Sequence, residues 1–349
     1  MSDLSLHPQY LPPDELAYSN VRPHETAVIR SRPEDFYVEE GLGFELEGQG
    51  QHCWLWIEKC LLTTEVVAAS LARAANIPRQ RISYAGMKDR NAVTRQWFSV
   101  DLAGVAAPVW NESLPSGSRV LAETWHRRKL RRGGLKRNKF HLVLREISGD
   151  RAQIDLRLAR VASTGVPNYF GPQRFGRDAG NVPRAWAMLT RKTRIRDRHL
   201  WSIYLSTARS LLFNRVLSER VRLGNWQRPV DGDVMMLDGS SSVFVAPVAD
   251  DVIQERVRIH DVHPTGPLWG RGASASEGSA VELEKNALQG CEAWCSGLER
   301  AGLTQDRRAL RLRVGGLTWE WQDERTVELA FELPAGGYAT SMLREIVTS

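Results

Sequence analysis

The stretch Ile82-Ser83-Tyr84-Ala85-Gly86-Met87-Lys88-Asp89-Arg90-Asn91-Ala92-Val93-Thr94-Arg95-Gln96 sets one carboxylate between two cations, in a turn between two strands. Ile82 to Ala85 reads as a short strand and Gly86 breaks it. Thr94 to Val100 then resumes an apolar/polar alternation that carries Trp97 and Phe98. A short acidic side chain on such a loop has little room to move. The flanking Lys88 and Arg90 favour its ionised form, because nearby positive charge stabilises a carboxylate. An ionised, positioned aspartate suits a nucleophile or a charge stabiliser. Taken alone, Lys-Asp-Arg also fits a solvated turn with local ion pairs.

Around this loop the pattern is mixed α/β. The segment before residue 25 is punctuated by proline and acid and reads as an arm on a domain surface. Ala27 to Arg30, Phe36 to Glu39 and Cys53 to Ile57 read as strands. Thr63 or Thr64 caps a helix through Val66, Val67, Leu71 and Ala74, which Asn76 and Pro78 end. Residues 140–146 and 151–158 are strand-like, the second with the option of continuing as a helix. From about 165 to 312 the character changes. Asn181 to Leu189 and Ile203 to Arg222 read as helices, Met235 to Leu237 and Val243 to Val245 as short strands, and 269–278 as a loop. Ser279 to Leu303 reads as one helix, with Ser279 and Glu282 at capping-box spacing. His263-Pro264-Thr265-Gly266-Pro267 reads as a rigid loop, and Asn168 to Gly176 as a structural hinge. Trp319 to Phe331 and 338–347 return to strands. No internal repeat is visible.

The chain has 349 residues, 42% hydrophobic and 25% charged, enough for two domains with buried cores. Lysine and arginine exceed aspartate and glutamate by 47 to 41, a net charge of +6 compatible with a polyanionic partner. No long uncharged apolar run is present, so no membrane partner is expected. Met1 to His7 lacks a basic start followed by an apolar core, so no signal peptide is expected and a cytoplasmic location is the default. Cys53, Cys60, Cys291 and Cys295 form no C-x-x-C pair and read as reduced thiols rather than a zinc site. Nothing in the spacing of residues suggests a heptad or an obligate protein interface, so a monomer is expected.

Charge is concentrated in two places. His126 to Lys139 holds eight lysine or arginine residues and no acid, and Arg191 to Arg198 is a second arginine-rich run. Such runs repel themselves unless polyanions sit nearby, and guanidinium binds phosphate in a bidentate way. Either run alone also fits a solvated face. With both present, Arg127, Arg128, Arg131, Arg132, Lys136 and Arg137 are candidates for contact with the backbone of a polyanion, and the family segment named below makes that an RNA backbone. By periodicity alone Phe36, Phe140 and Tyr338 each fit an apolar core.

Six segments together carry a resemblance. The loop Lys88-Asp89-Arg90-x-Ala92-x-Thr94-x-Gln96 resembles the signature loop of the TruD family, the tRNA pseudouridine-13 synthases. Arg30-Ser31-Arg32-Pro33-Glu34-Asp35-Phe36 is similar to that family's N-terminal segment, and Lys136-Arg137-Asn138-Lys139-Phe140 to its K-x-N-x-F segment. Asn168-Tyr169-Phe170-Gly171-Pro172-Gln173-Arg174-Phe175-Gly176, His263 to Gly270 and Gly337 to Glu345 complete the set in the family's order.

The resemblance implies an α/β (α+β) fold. A pseudouridine synthase catalytic domain with a mixed, mainly antiparallel sheet flanked by helices is expected over 1–164 and 313–349. An α/β TRUD domain is expected as an insertion over 165–312, with tRNA in a basic cleft between the two. The implied reaction is the isomerisation of uridine 13 of tRNA to pseudouridine on a flipped-out base. Asp89 would attack C1′ or the base, or stabilise the developing sugar cation. Arg30, where the family often has lysine, resembles its cationic partner, with Lys88 and Arg90 as alternatives. Phe36, Asn138, Phe140 and Tyr338 match the uracil pocket, Tyr338 standing where phenylalanine is common. An asparagine amide can address a base edge as donor and as acceptor. The base that takes the C5 proton is unassigned. No cofactor and no metal are expected, in keeping with the lack of a G-x-G-x-x-G or P-loop motif. A non-catalytic RNA-binding or chaperone protein on the same scaffold is the rival reading. A methyltransferase is disfavoured by the missing glycine-rich nucleoside loop.

Overall fold

A computed structural model of the chain describes residues 7–348. Most of the N-terminal stretch read for a signal sequence, residues 1–6, lies outside the described residues, as does residue 349. The described chain forms two compact units. One comprises His24–Ala162, Val314–Gly336 and the residues from Val347 on; the other comprises the residues up to Pro23, Ser163–Arg313 and Gly337–Ile346.

The first unit is built on a nine-stranded sheet. Its first seven strands are β1 (Thr26–Ile29), β2 (Phe36–Gly41), β3 (His52–Cys60), β4 (Ile82–Tyr84), β5 (Val93–Asp101), β6 (Ser118–His126) and β7 (Arg137–Ser148). A hairpin of Gly315–Asp323 and Thr326–Pro334 adds the remaining two beside β7. The order runs from that hairpin through β7, β2, β5 and β3 to β6. All pairings are antiparallel except β2 with β5, where Tyr37 faces Val93 and Glu39 faces Arg95. β1 and β2 occupy successive stretches of one edge of β7. In the same way β2 and β4 share one edge of β5, β2 over Val93–Arg95 and β4 over Ser99 and its neighbours.

Alternation along β3 buries Cys53, Leu55 and Ile57 on one face. The helix Thr64–Ala74 covers them with Val67, Ala68, Leu71 and Ala72, and Phe98 and Val100 of β5 fill the layer between. Each fully buried aliphatic or aromatic side chain contributes roughly 1.5–3 kcal/mol. Thr63 caps that helix through its hydroxyl to Val66 N, and Asn76 leaves it at φ +51. Residues 151–158, read as strand-like, belong to the helix Arg151–Thr164; Ile154, Leu158 and Val161 are its buried positions, a spacing of helical period.

The second unit packs around the helix Arg198–Arg222, whose start is capped by Asp197. Tyr169, Phe170 and Phe175, from the segment read as a hinge, are buried in its core with Phe213 and Trp294. Beside it lies a four-stranded sheet in the order Val243–Ala246, Asp233–Leu237, Val262–Leu268 and Asp306–Ala309. The bidentate pair Arg220–Asp233, at 2.8 and 2.9 Å, is wholly buried.

Three expectations for this unit are corrected. His263 to Pro267 is a strand, not a loop. It pairs on one side over Val262–Pro264 and on the other over Thr265–Leu268, so its two prolines interrupt no continuous ladder. The single helix expected over 279–303 is two, Gly278–Ala287 and Glu292–Arg300, separated where Gly290 takes φ +81; Glu277, not a Ser279 capping box, stands at the N-cap. The strand expected over 338–347 contains the short helix Ala339–Leu343, whose buried Ala339, Met342 and Leu343 repeat at helical spacing.

His263 sits in a charged chain. Its Nδ1 accepts from Arg311 Nε at 2.9 Å and its Nε2 faces Asp238 Oδ1 at 2.9 Å, while Arg313 holds Oδ2 of the same carboxylate at 2.7 Å. Burial and then the Arg311 guanidinium push neighbouring His260 down from 6.5 to about 4. The unfolded chain therefore takes up this proton first as pH falls, and the stability present above pH 6.5 declines between there and about 4. His260→Asn, a residue that tolerates the φ of +64, is predicted to make that decline shallower when denaturant midpoints are measured across the window. An unchanged decline contradicts the assignment.

Candidate active site

Parallel pairing places the start of β2 beside the start of β5. The link from β1 therefore arrives next to the loop that enters β5, and Arg30 meets Asp89. Arg30 Nη2 donates to Asp89 Oδ2 at 2.7 Å. Arg30 lies in the left-handed region at φ +62, a conformation that costs a non-glycine residue about 1–2 kcal/mol. Its guanidinium carbon stands 3.9 Å from the centre of the Phe36 ring. Of the three cations considered for Asp89, Arg30 makes this contact. Lys88 turns to Asn138, and Arg90 Nε donates to the Leu61 carbonyl at 3.1 Å.

The Arg30–Asp89 pair is part-exposed, with side chains 30% and 43% accessible. Such pairs contribute only about 0–1 kcal/mol. The loop is held by other groups. Lys59 Nζ donates to the Asp89 carbonyl at 2.9 Å. Thr64 Oγ1 accepts from Lys88 N at 3.0 Å and donates to Gln96 Oε1 at 2.9 Å, and Gln96 Nε2 reaches Gly86 O at 3.3 Å. Gly133 N donates to Ala85 O at 2.9 Å. Lys59, Thr64 and Gln96 are fully buried, so removing a partner from any of them would cost about 1–3 kcal/mol. Burial pushes Lys59 down to about 8, with the Asp89 charge acting in the opposite direction.

A second polar group lies on the same loop. Lys88 Nζ donates to Asn138 Oδ1 at 2.5 Å and stands 3.0 Å from Glu40 Oε1. Glu40 and Asn138 face each other across β2 and β7. Glu40 is buried and its other oxygen accepts from Trp97 N at 3.0 Å. Burial raises the Glu40 carboxyl above the usual range, and Lys88 opposes that.

Phe36 is 2% exposed and Phe140 9%. Their rings meet edge to face at 6.3 Å, and Phe140 stacks on Phe331 of the hairpin at 5.0 Å. The structure thus brings Arg30, Phe36, Asp89, Asn138 and Phe140 onto one face of one unit. Tyr338 belongs to the other unit, where its hydroxyl accepts from Arg174 Nη2 at 2.8 Å and its ring lies edge to face with Phe170.

The basic loop is anchored from beneath. Leu130 is buried against Trp54 and Ala85, its N–H donates to Ser99 Oγ at 2.9 Å, and Trp54 Nε1 donates to Arg128 O at 3.1 Å. Arg127, Arg128, Arg131, Arg132, Lys136 and Arg137 all remain exposed. Arg127 pairs with Glu47 and Arg137 with Glu332; the other four form no ion pair among the described residues. The second basic run lies in the other unit, and its lysine and arginines are exposed too.

The sequence reading assigned none of Lys59, Glu40, Thr64, Gln96 and Phe331 to the site. Two of them carried a signal. Lys59 continues the buried face Cys53, Leu55, Ile57, and Glu40 continues Phe36, Val38: a charge on the apolar side of an alternating strand. Among the described residues no cluster of histidine, cysteine, aspartate or glutamate could hold a metal ion.

Comparison with known proteins gives the family of the chain. The family described as tRNA pseudouridine synthase D (TruD) matches residues 16–184 and 188–346. A tRNA pseudouridine synthase D from Nitrosococcus oceani is 47% identical over 334 residues, covering 95% of this chain and 93% of the relative. One from Hydrogenovibrio crunogenus is 44% identical over 330 residues, covering 95% of each. A crystal structure of a Methanosarcina mazei protein assigned to tRNA pseudouridine synthase D superposes with a TM-score of 0.71 at 21% identity, over 95% of both chains, and so shares the fold. The chain belongs to the tRNA pseudouridine synthase D (TruD) family.

Proposed function

We propose that this chain isomerises uridine 13 of tRNA to pseudouridine, with Asp89 as the attacking carboxylate. The observation that carries the reading is the Asp89 loop itself, a carboxylate held at 2.7 Å by Arg30 on a backbone pinned by buried Lys59, Thr64 and Gln96. In the reaction the C1′–N1 bond breaks, the uracil turns, and a C1′–C5 bond forms. C5 gives up a proton and N1 gains one, so substrate and product have the same composition and no oxidant or co-reactant enters. Arg30 orients the Asp89 carboxylate. Placement of a reacting group can supply several kcal/mol of the barrier, and this needs the rigid loop more than the ion pair.

Phe36, Asn138 and Phe140 would receive the extruded base, as chemistry on a base within a stack requires a pocket. Phe36 is covered by the Arg30 guanidinium, so a base that stacks there displaces that cation or packs on its outer side. Tyr338 joins the substrate-binding set on its motif, Gly337 to Glu345, with Arg174 fixing its hydroxyl. The catalytic domain is assigned to 1–164 and 313–349, interrupted by the insertion 165–312. Phosphates would meet Arg127, Arg128, Arg131, Arg132, Lys136 and Arg137. The protein is proposed to act as a monomer in the cytoplasm, and no helix among its described residues is long and apolar enough to cross a membrane.

Mapping pseudouridine by carbodiimide adducts and primer extension on an unmodified tRNA transcript tests the position. One new stop at uridine 13 is expected. A stop elsewhere overturns the position, and none overturns the isomerase. Replacing Arg131 and Arg132 together by glutamine is expected to weaken tRNA binding, and to flatten the plot of log affinity against log salt by about 0.7–0.9 for each phosphate that is no longer neutralised. An unchanged slope removes this loop from the RNA interface.

A further inference from the structure

The pair Lys88–Asn138 carries a consequence for which base the site accepts, and it rests on the reading of Asn138 as a base-contacting residue. An ammonium has three donors and no acceptor. The amide atom 2.5 Å from Lys88 Nζ must therefore be the oxygen. Flipping the amide would set N–H against N–H. The orientation is backed by a second charge, because Glu40 Oε1 lies 3.0 Å from the same ammonium and both side chains are almost wholly shielded, at 9% and 0% exposure. Glu40 is in turn held by Trp97 N and sits opposite Asn138 in the β2–β7 register. What remains of Asn138 is its amide nitrogen, which carries two N–H donors; the side chain's hydrogen bond among the described residues is the one its oxygen accepts from Lys88.

We infer that Lys88 is a positioning residue that locks Asn138 as a donor-only group, so that the site takes the O4 edge of uracil and rejects the amino edge of cytosine. The two pyrimidines differ on that edge alone. Uracil offers the O4 acceptor beside an N3–H. Cytosine offers the N4 amino donor beside a bare N3. A freely rotating asparagine would serve either base, since its amide can present oxygen or nitrogen. A locked one sets its donors against the cytosine amino group and leaves both unpaired. A site built around a hydrogen bond rejects the mismatched analogue strongly, because its own polar group is left without a partner.

The test is equilibrium binding of two tRNA transcripts that differ only in uridine or cytidine at the modified position, at one salt concentration. Wild type is expected to favour uridine by about 10-fold or more, the size of one good base-edge contact. Lys88→Met frees the amide and should bring the two affinities within about two-fold, while Lys88→Arg, whose head also only donates, should keep the preference. The double variant Glu40→Gln/Lys88→Met leaves no buried charge unpaired and should reproduce Lys88→Met in a folded protein, as thermal melting verifies. A preference that survives Lys88→Met, or a loss that weakens both RNAs equally, overturns the inference. Asn138→Ala separates it from the reading beneath it. If that variant keeps the uridine preference, Asn138 does not contact the base and both fail. If Asn138→Ala abolishes the preference and Lys88→Met does not, only the role of Lys88 fails.

Discussion

The site depends on one pairing, the parallel register of β2 with β5 in a sheet that is otherwise antiparallel. An antiparallel pair would have set the start of β2 against the far end of β5. The parallel pair sets the two starts side by side, so the β1–β2 link and the β4–β5 loop converge. Arg30 comes from the first, with Phe36 opening β2 behind it, and Lys88 and Asp89 come from the second. Residues 59 positions apart in sequence then meet at 2.7 Å. Parallel pairing needs a crossover, and here it is supplied by β3, the helix Thr64–Ala74 and β4, whose own packing against Phe98 and Val100 holds the register. The hydrophobic layer between the sheet and that helix thus holds the register that sets the distance between the two charges.

Charge alone would not hold the loop. The Arg30–Asp89 pair is partly solvated and weak in stability terms. The buried polar groups are different, since each one left unpaired in a low-dielectric interior is expensive. Lys59 is the clearest case. Its ammonium, wholly enclosed at the end of β3, is tolerable because the Asp89 carbonyl accepts from it and the Asp89 charge favours it. The same logic makes Lys88 and Glu40 mutually dependent. The loop carries its carboxylate outward while its backbone and its lysine are fastened inward. A group so placed is preorganised for charge that develops in a reaction.

Much of this was legible in the residues, for identifiable reasons. Gly86 between two alternating runs marks the strand–loop–strand that carries Asp89, and Thr63, Asn76 and Pro78 mark the ends of the neighbouring helix. β6 escaped because it is an edge strand with a single fully buried residue, His126, and so lacks a buried apolar face to alternate with. Val262–Leu268 escaped because its prolines argue for a loop, and only tertiary pairing on alternate sides makes a strand of it. The roles of Arg30, Asn138 and Phe140 came from family resemblance, because strand register decides which residues face one another and no local pattern encodes it. Lys59 and Glu40 were visible as charges on buried faces, a signal that composition and motif spacing pass over.

The basic loop completes the account on the same unit. Leu130 and the Trp54 indole anchor it, Gly133 ties it to Ala85 at the root of the Asp89 loop, and its arginines are left to the solvent. These arginines and the Asp89 loop thus lie on one unit, joined through the Gly133–Ala85 hydrogen bond. The most direct test of the central claim, that Asp89 on this pinned loop does the chemistry, is tritium release from tRNA labelled at uracil C5, with wild type and Asp89→Asn compared at saturating enzyme. The account predicts release by wild type and none by Asp89→Asn, although the variant still binds tRNA. Release by both proteins at similar rates would contradict it and move the chemistry away from Asp89.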